Sequence, residues 1–253
     1  MSKHLGSVNY VAIALAFLFS INAYAKANIE TKTKSFSVEL NTSRIVYLSG
    51  AKNVTFSVNN PQDYPILVRS TVVKEDKKTA APFIVTPPLF RLDAKQTNSL
   101  RVIQTGGSFP ENKETLHWLC IAGIPPKEDD VWAQRGQTKS NDDIAQLNVK
   151  ISVNNCIKLF VRPQKIKGDI DEGYASLKWQ RKGNVIVAQN PSPFYISIAS
   201  IKIGGKELPD MDYIAPFSSH EFALPQGASG ERVAWQAITD YGGKTKTFEK
   251  KIQ

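Results

Sequence analysis

AQLNVKISVNNCIKLFVRP, residues 145–163, decides the fold of this chain. Leu147, Val149, Ile151 and Val153 alternate with Gln146, Asn148, Lys150 and Ser152. A period of two puts the four apolar side chains on one face of a strand. After Cys156 a second alternation, Ile157, Leu159 and Val161, runs to Arg162-Pro163, with Lys158 set inside it. The stretch reads as one long strand with two apolar blocks. Two uses fit that pattern: an amphipathic strand of a sandwich, or a strand whose apolar face is offered to another protein.

Upstream, the same alternation recurs in short pieces. Phe36, Val38 and Leu40 share one side of a strand; Val54, Phe56 and Val58 form the next; Ile66 to Val73, Leu100 to Ile103, and Leu116, Trp118, Cys120 and Ala122 follow. Gly50 and Asn59-Asn60-Pro61 punctuate them, and Pro88 in Thr86-Pro87-Pro88 is a candidate cis proline. Seven or so short strands with turn signals and no convincing helix point to an antiparallel sandwich. The polar segment 127–144 is long for a hairpin connection. Downstream of Pro163 the pattern restarts, from Leu177-Lys178-Trp179 to Lys246–Ile252. A second, smaller sandwich is expected there, with residues 163–167 as hinge and no visible internal repeat between the halves.

The leader is a separate device. Lys3 and His4 precede an apolar run from Val11 to Ile21, and Ala23-Tyr24-Ala25 supplies an A-x-A cleavage pattern. This reads as a secretory signal peptide over 1–25, too short in its apolar run to span a bilayer. Two domains then occupy 26–162 and 163–253. The 253 residues carry a formal +9; Lys3 is the only Lys, Arg, Asp or Glu in the leader, so cleavage leaves +8. No basic cluster interleaves with aromatics, which argues against nucleic acid and leaves diffuse surface charge as the default. Both cysteines, Cys120 and Cys156, lie in the exported part, where a disulfide is the expected outcome. Closing about 35 residues stabilises by roughly 3–4 kcal/mol in the loop-entropy model. A metal site lacks ligands: beyond His4 only His117 and His220 exist. There is no G-x-S-x-G, H-E-x-x-H or phosphate loop, so no enzyme, cofactor or metal is expected.

At this point a family resemblance enters. QDYPILVRS (62–70), FIVTPPLFRLDAKQTNSLR (83–101), FPENKETLHWLCIAGIPP (109–126), NNCIKLFVRP (154–163), NPSPFYISI (190–198) and TDYGG (239–243) resemble periplasmic chaperones of the chaperone–usher pathway. The long polar loop and the cysteine pair resemble the long-loop subclass, which serves thin fibres and capsule-like surface antigens. The resemblance implies an all-β chain of two immunoglobulin-like sandwiches in a boomerang arrangement, located in the periplasm. It implies fibre subunits and an outer-membrane usher as partners, with no membrane insertion after cleavage. Leu147, Val149, Ile151 and Val153 would be lent to a subunit that lacks its own final strand, with Phe36, Val38 and Leu40 on a first strand alongside. An apolar edge left open in the free protein is an aggregation hazard, and self-association is one way to cover it.

The resemblance also assigns roles. Arg44 and Lys158 match the basic pair that anchors the subunit's C-terminal carboxylate. Glu114, Arg162 and Asp240 match a charge network that sets the interdomain angle. Pro65 matches a proline that shields the usher-binding surface, a turn or edge-strand proline being the alternative. Residues 169–174 carry no usable family signature. The competing function is an exported two-domain immunoglobulin-like adhesin or binding module, which would lack the Arg/Lys pair and bind through its loops.

Overall fold

Side chains that alternate in and out build nearly every ordered stretch of the chain. The computed structural model describes residues 30–125, 130 and 146–253. The leader and, Asp130 apart, the 127–144 segment lie outside the described residues.

The first sandwich packs two sheets. One has the order β2 (Glu39–Leu40), β4 (Val54–Asn59), β8 (Thr97–Gln104), β6 (Phe83–Thr86). The other has the order β3 (Arg44–Leu48), β11 (Asn154–Arg162), β9 (Thr115–Ile124), β5 (Ile66–Lys74), β7 (Leu89–Leu92). Odd positions face inward on the middle strands: Leu159 and Val161 of β11 join Ile45 and Tyr47 of β3 and Leu119 and Ile121 of β9. Phe56, Val58, Leu100 and Val102 meet them from the facing sheet. Each large apolar side chain buried this way contributes roughly 1.5–3 kcal/mol before ordering costs. The even positions of β11, Lys158, Phe160 and Arg162, necessarily point out of the opposite face.

Cys156 lies directly opposite Cys120 across β11 and β9, and the two form a disulfide.

The stretch read as one long strand is two. β10 (Gln146–Ser152) pairs with β1 (Glu30–Phe36) in a two-stranded sheet, and β11 begins afresh at Asn154. Val153 is the changeover: its N–H donates to the Phe36 carbonyl (3.0 Å) and its carbonyl accepts from Gly123 N–H (3.1 Å). Gly123 is required there, because a Cβ would come within 2.3 Å of the Phe36 oxygen.

In the second sandwich, β12 (Lys178–Lys182), β13 (Val185–Gln189) and β17 (Ser219–Ala223) form one sheet. The other has the order β15 (Lys206–Glu207), β14 (Ile196–Ile203), β18 (Arg232–Ala237), β19 (Phe248–Lys251), with β16 (Tyr213–Ile214) also on β14. Trp179 and Trp235 centre its core, rings 5.4 Å apart.

Two further expectations change. A short helix, α1 (Ile170–Ser176), precedes β12, where no helix was expected. Asp169 caps it by accepting from Asp171 N–H at 3.0 Å. Seven residues are two turns, too few to display a helical repeat. The cis bond is Thr86-Pro87, one residue before Pro88.

The halves also share a repeated device. Asn60 Nδ2 donates to the carbonyls of Tyr64, Leu92 and Asp93, and Asn190 Nδ2 to those of Phe194, Ile214 and Ala215. Both side chains are fully buried, precede a proline, and accept an N–H from two residues on. In sequence the shared device shows as Asn-Pro with an aromatic residue four positions after the Asn, Tyr64 and Phe194, and an Ile six after, Ile66 and Ile196.

Candidate functional site: a buried cation pair

Outward-facing even positions of β11 meet the second sandwich. β3 runs parallel to β11 with Arg44 beside Lys158, and β9 runs antiparallel on the other side with Trp118 beside Lys158. One row across the sheet therefore reads Arg44, Lys158, Trp118. Arg44 is 6% exposed; its Nη1 donates to the Ile238 carbonyl at 3.1 Å, and its buried Nε has no partner. Lys158 is part-buried; its Nζ donates to Ser197 Oγ at 3.3 Å and sits 4.8 Å from the Tyr213 ring centre. Among the described residues no carboxylate lies within ion-pair distance of either cation.

Two adjacent cations, one buried and one half-buried, disfavour their own charges. Burial lowers the Arg44 guanidinium from its ordinary value, opposed by Tyr174 and Asp240. Burial, with the neighbouring Arg44 charge, brings Lys158 down to about 8. The arrangement is a ready acceptor for an anion: donors are in place and neither cation has a carboxylate within ion-pair distance among the described residues.

Four residues along β11, on the same face, the situation reverses. Arg162 Nε donates to Glu114 Oε1 at 2.6 Å, while Nη1 and Nη2 bind Asp240 at 2.6 and 2.9 Å. Glu114 Oε2 accepts the Tyr195 N–H at 2.8 Å. Burial opposes the Arg162 charge, yet the bonds and attraction of Asp240 and Glu114 hold it above its ordinary value. Burial pushes the Glu114 carboxyl up, against the pull of Arg162 and the Tyr195 amide. Glu114 and Arg162 belong to the first sandwich and Asp240 and Tyr195 to the second, so this triad ties the two. The 239–243 turn that carries Asp240 abuts Ser43, next to Arg44: a Cβ on Gly242, at φ 84°, would stand 2.5 Å from Ser43 Oγ.

The proposed lending strand has a different character. On β10, Leu147 is 53% and Ile151 45% exposed, while Val149 is part-buried; Val153, just beyond its end, is also part-buried. Phe36 and Val38 are only 2% exposed and Leu40 is part-buried. They fill the core rather than an open edge. Pro65, part-buried, leads into β5 behind Tyr64, whose hydroxyl donates to the Ser35 carbonyl at 2.7 Å. Sequence reasoning missed Ser197, Tyr195 and Tyr213. NPSPFYISI shows the first two only as strand residues, and Tyr213 follows an unremarkable Asp-Met-Asp.

Residues 37–167 match the N-terminal domain of the PapD pili and flagellar-assembly chaperones, and residues 172–249 match the PapD C-terminal domain. The chain is 45% identical to the Escherichia coli chaperone protein AggD over 242 residues, 96% of each chain. The crystal structure of the E. coli chaperone DraB superposes with a TM-score of 0.78 at 46% identity, covering 88% of this chain and all of that one. The SafB chaperone, solved with the Salmonella enterica SafA pilin, gives a TM-score of 0.77 at 39% identity, over 88% of this chain and all of the matched one.

Proposed function

This chain belongs to the PapD family of pili assembly chaperones, and from that membership we propose how it holds a fibre subunit. Arg44 and Lys158 bind the C-terminal carboxylate of the subunit, and β10 completes the subunit's sandwich with Leu147, Val149, Ile151 and Val153. The observation that carries this reading is the cation pair: Arg44, buried, beside Lys158, half-buried, without a carboxylate partner for either among the described residues. A carboxylate there receives charge-assisted hydrogen bonds and relieves the mutual repulsion. β-Strand addition then extends the contact along the edge, with alternate side chains entering pockets. Burying four such side chains contributes roughly 6–12 kcal/mol as an upper figure, reduced by ordering and association. The exposed Leu147 and Ile151 support that use.

The finer assignments belong to the same proposal. Residues 1–25 direct export to the periplasm, the domains occupy 26–162 and 163–253, and loaded subunit passes to an outer-membrane usher near Pro65. No chemistry is performed on the client. The exported-adhesin alternative gives way to the family membership and to the paired cations it did not anticipate.

Co-expression with a fibre subunit tests the anchor. Arg44→Ala or Lys158→Ala leaves the chaperone folded by circular dichroism but reduces recovered complex at least about tenfold, the loss of one charged hydrogen bond. Adding residues after the subunit's natural C-terminus moves its carboxylate and has the same effect. Full recovery of complex in either arm refutes the anchor.

A further inference from the structure

A closed ring of contacts surrounds Lys158, and the known activity does not use it. Trp118, the cross-strand neighbour of Lys158, donates its indole N–H to the backbone carbonyl of Glu75 at 3.3 Å. Glu75 sits in the turn after β5, shaped by Asp76, whose Oδ1 accepts the N–H groups of Lys78 and Thr79 at 2.9 and 2.8 Å. From there the Glu75 carboxylate reaches the second sandwich. It accepts from the Tyr213 hydroxyl at 3.0 Å and, more weakly, from the Tyr195 hydroxyl at 3.4 Å. Tyr213 pairs across β14 and β16 with Ser197. The Tyr213 ring and the Ser197 hydroxyl are the two groups that hold the Lys158 ammonium. The loop thus runs from Lys158 through Trp118 and Glu75 to Tyr213 and back.

We propose that Glu75 and Tyr213 are positioning residues for client binding: their bond across the two sandwiches holds the Ser197–Tyr213 shelf against Lys158 and aims its ammonium beside Arg44. The proposal rests on the carboxylate-anchor reading for its consequence, though not for its geometry. A lysine has four rotatable side-chain bonds and about 2 kcal/mol of rotamer entropy, so an unsupported ammonium is a poor point of aim. The aromatic face supplies cation–π attraction. The ring packs on Tyr195, centroids 5.6 Å apart, and the Glu75 carboxylate holds the phenol at its far end from the opposite domain. Ser197 and Tyr213 are in contact with the Lys158 ammonium, so they are part of what covers it.

Nuclear magnetic resonance of the lysine side chains tests it in the full chain. The Lys158 signal, assigned by its loss in Lys158→Arg, is followed through pH in wild type, Glu75→Ala and Tyr213→Phe. Glu111→Ala, at an exposed ion pair with Lys165, serves as control. Losing the clasp admits water, so the midpoint of Lys158 rises by at least about half a unit toward its ordinary value in both variants and stays put in the control. Removal of the Glu75 charge alone would push it the other way, so a rise reports lost cover. An unchanged or lowered midpoint overturns the proposal, and Tyr213→Phe, which keeps the ring, judges it if Glu75→Ala misfolds. Acetate then stands in for the client carboxylate. Its apparent Kd at Lys158 weakens about threefold or more in Glu75→Ala if the aim matters, and equal Kd values overturn that role. Should acetate leave both cations of wild type unperturbed, the anchor reading fails, while the midpoint still decides the clasp.

Discussion

Two polar clusters, centred on Lys158 and Arg162, sit four residues apart on the same strand face and behave as opposites. Around Arg162 each charge has its partner: Glu114 on one side, Asp240 on the other, and the Tyr195 amide closing the last oxygen. Around Lys158 the charges of Arg44 and Lys77 repel it, Asp212 offsets them only in part, and Arg44 keeps a buried N–H without an acceptor. Same strand, same depth and same neighbouring sandwich give one cluster that is complete and one that awaits an anion. On the proposed anchor reading, the difference separates a group that ties the two sandwiches from a group kept for a client carboxylate.

Removing the completed cluster's centre has the largest effect. Arg162→Met strands the Glu114 carboxylate, whose side chain is 1% exposed, and costs about 3–5 kcal/mol in thermal or denaturant unfolding. Adding Glu114→Gln recovers part of that. A loss under about 1 kcal/mol for the single change would break the comparison. The waiting cluster responds in the reverse sense: Lys158→Met leaves stability within about 1 kcal/mol or improves it, because a repelling buried charge is gone, while client capture falls at least about tenfold. Co-purification against melting temperature separates the two.

A pH series sharpens the contrast. Lys158 titrates near 8 in the folded chain, below its ordinary value of 10.5. The unfolded state therefore binds more protons between those values, so stability rises with pH across about 8 to 10.5. Below that window both states are protonated and the cost of the buried charge is fully present. Lys158→Met removes this rise, and carboxylate binding by wild type weakens as pH climbs through about 8. The smallest effect belongs to an exposed pair: Arg232→Ala, facing Glu249 at roughly half exposure, shifts stability by about 0.5 kcal/mol or less.

The all-β class and the outward direction of Lys158 were legible because strand alternation is local. Once Leu159 and Val161 face inward, Lys158 and Arg162 cannot. That Arg44 stands beside Lys158 was not legible from periodicity, since β3 and β11 are over a hundred residues apart in sequence; the family motifs supplied it. The break at Val153 was hidden because alternation runs on through it, and only the handover of its backbone bonds reveals two strands. Glu75 was hidden more deeply. It lies in a charged turn, Lys74 to Lys78, that reads as solvated surface, and its hydroxyl partners are 120 and 138 residues away. No pattern of period two or 3.6 can register a contact of that range. Phe36 and Val38 show the converse limit: alternation assigns a face to a side chain without saying whether core or client covers it.

The handover at Val153 has an engineering consequence. Because Phe36 and Gly123 fasten that residue by its main chain alone, the seven positions before it form a cassette with a fixed clamp downstream. If β10 is the lent strand, as proposed, exchanging 146–152 for another alternating heptad would retune which fibre is served while β11, with its disulfide and both charge clusters, keeps its place.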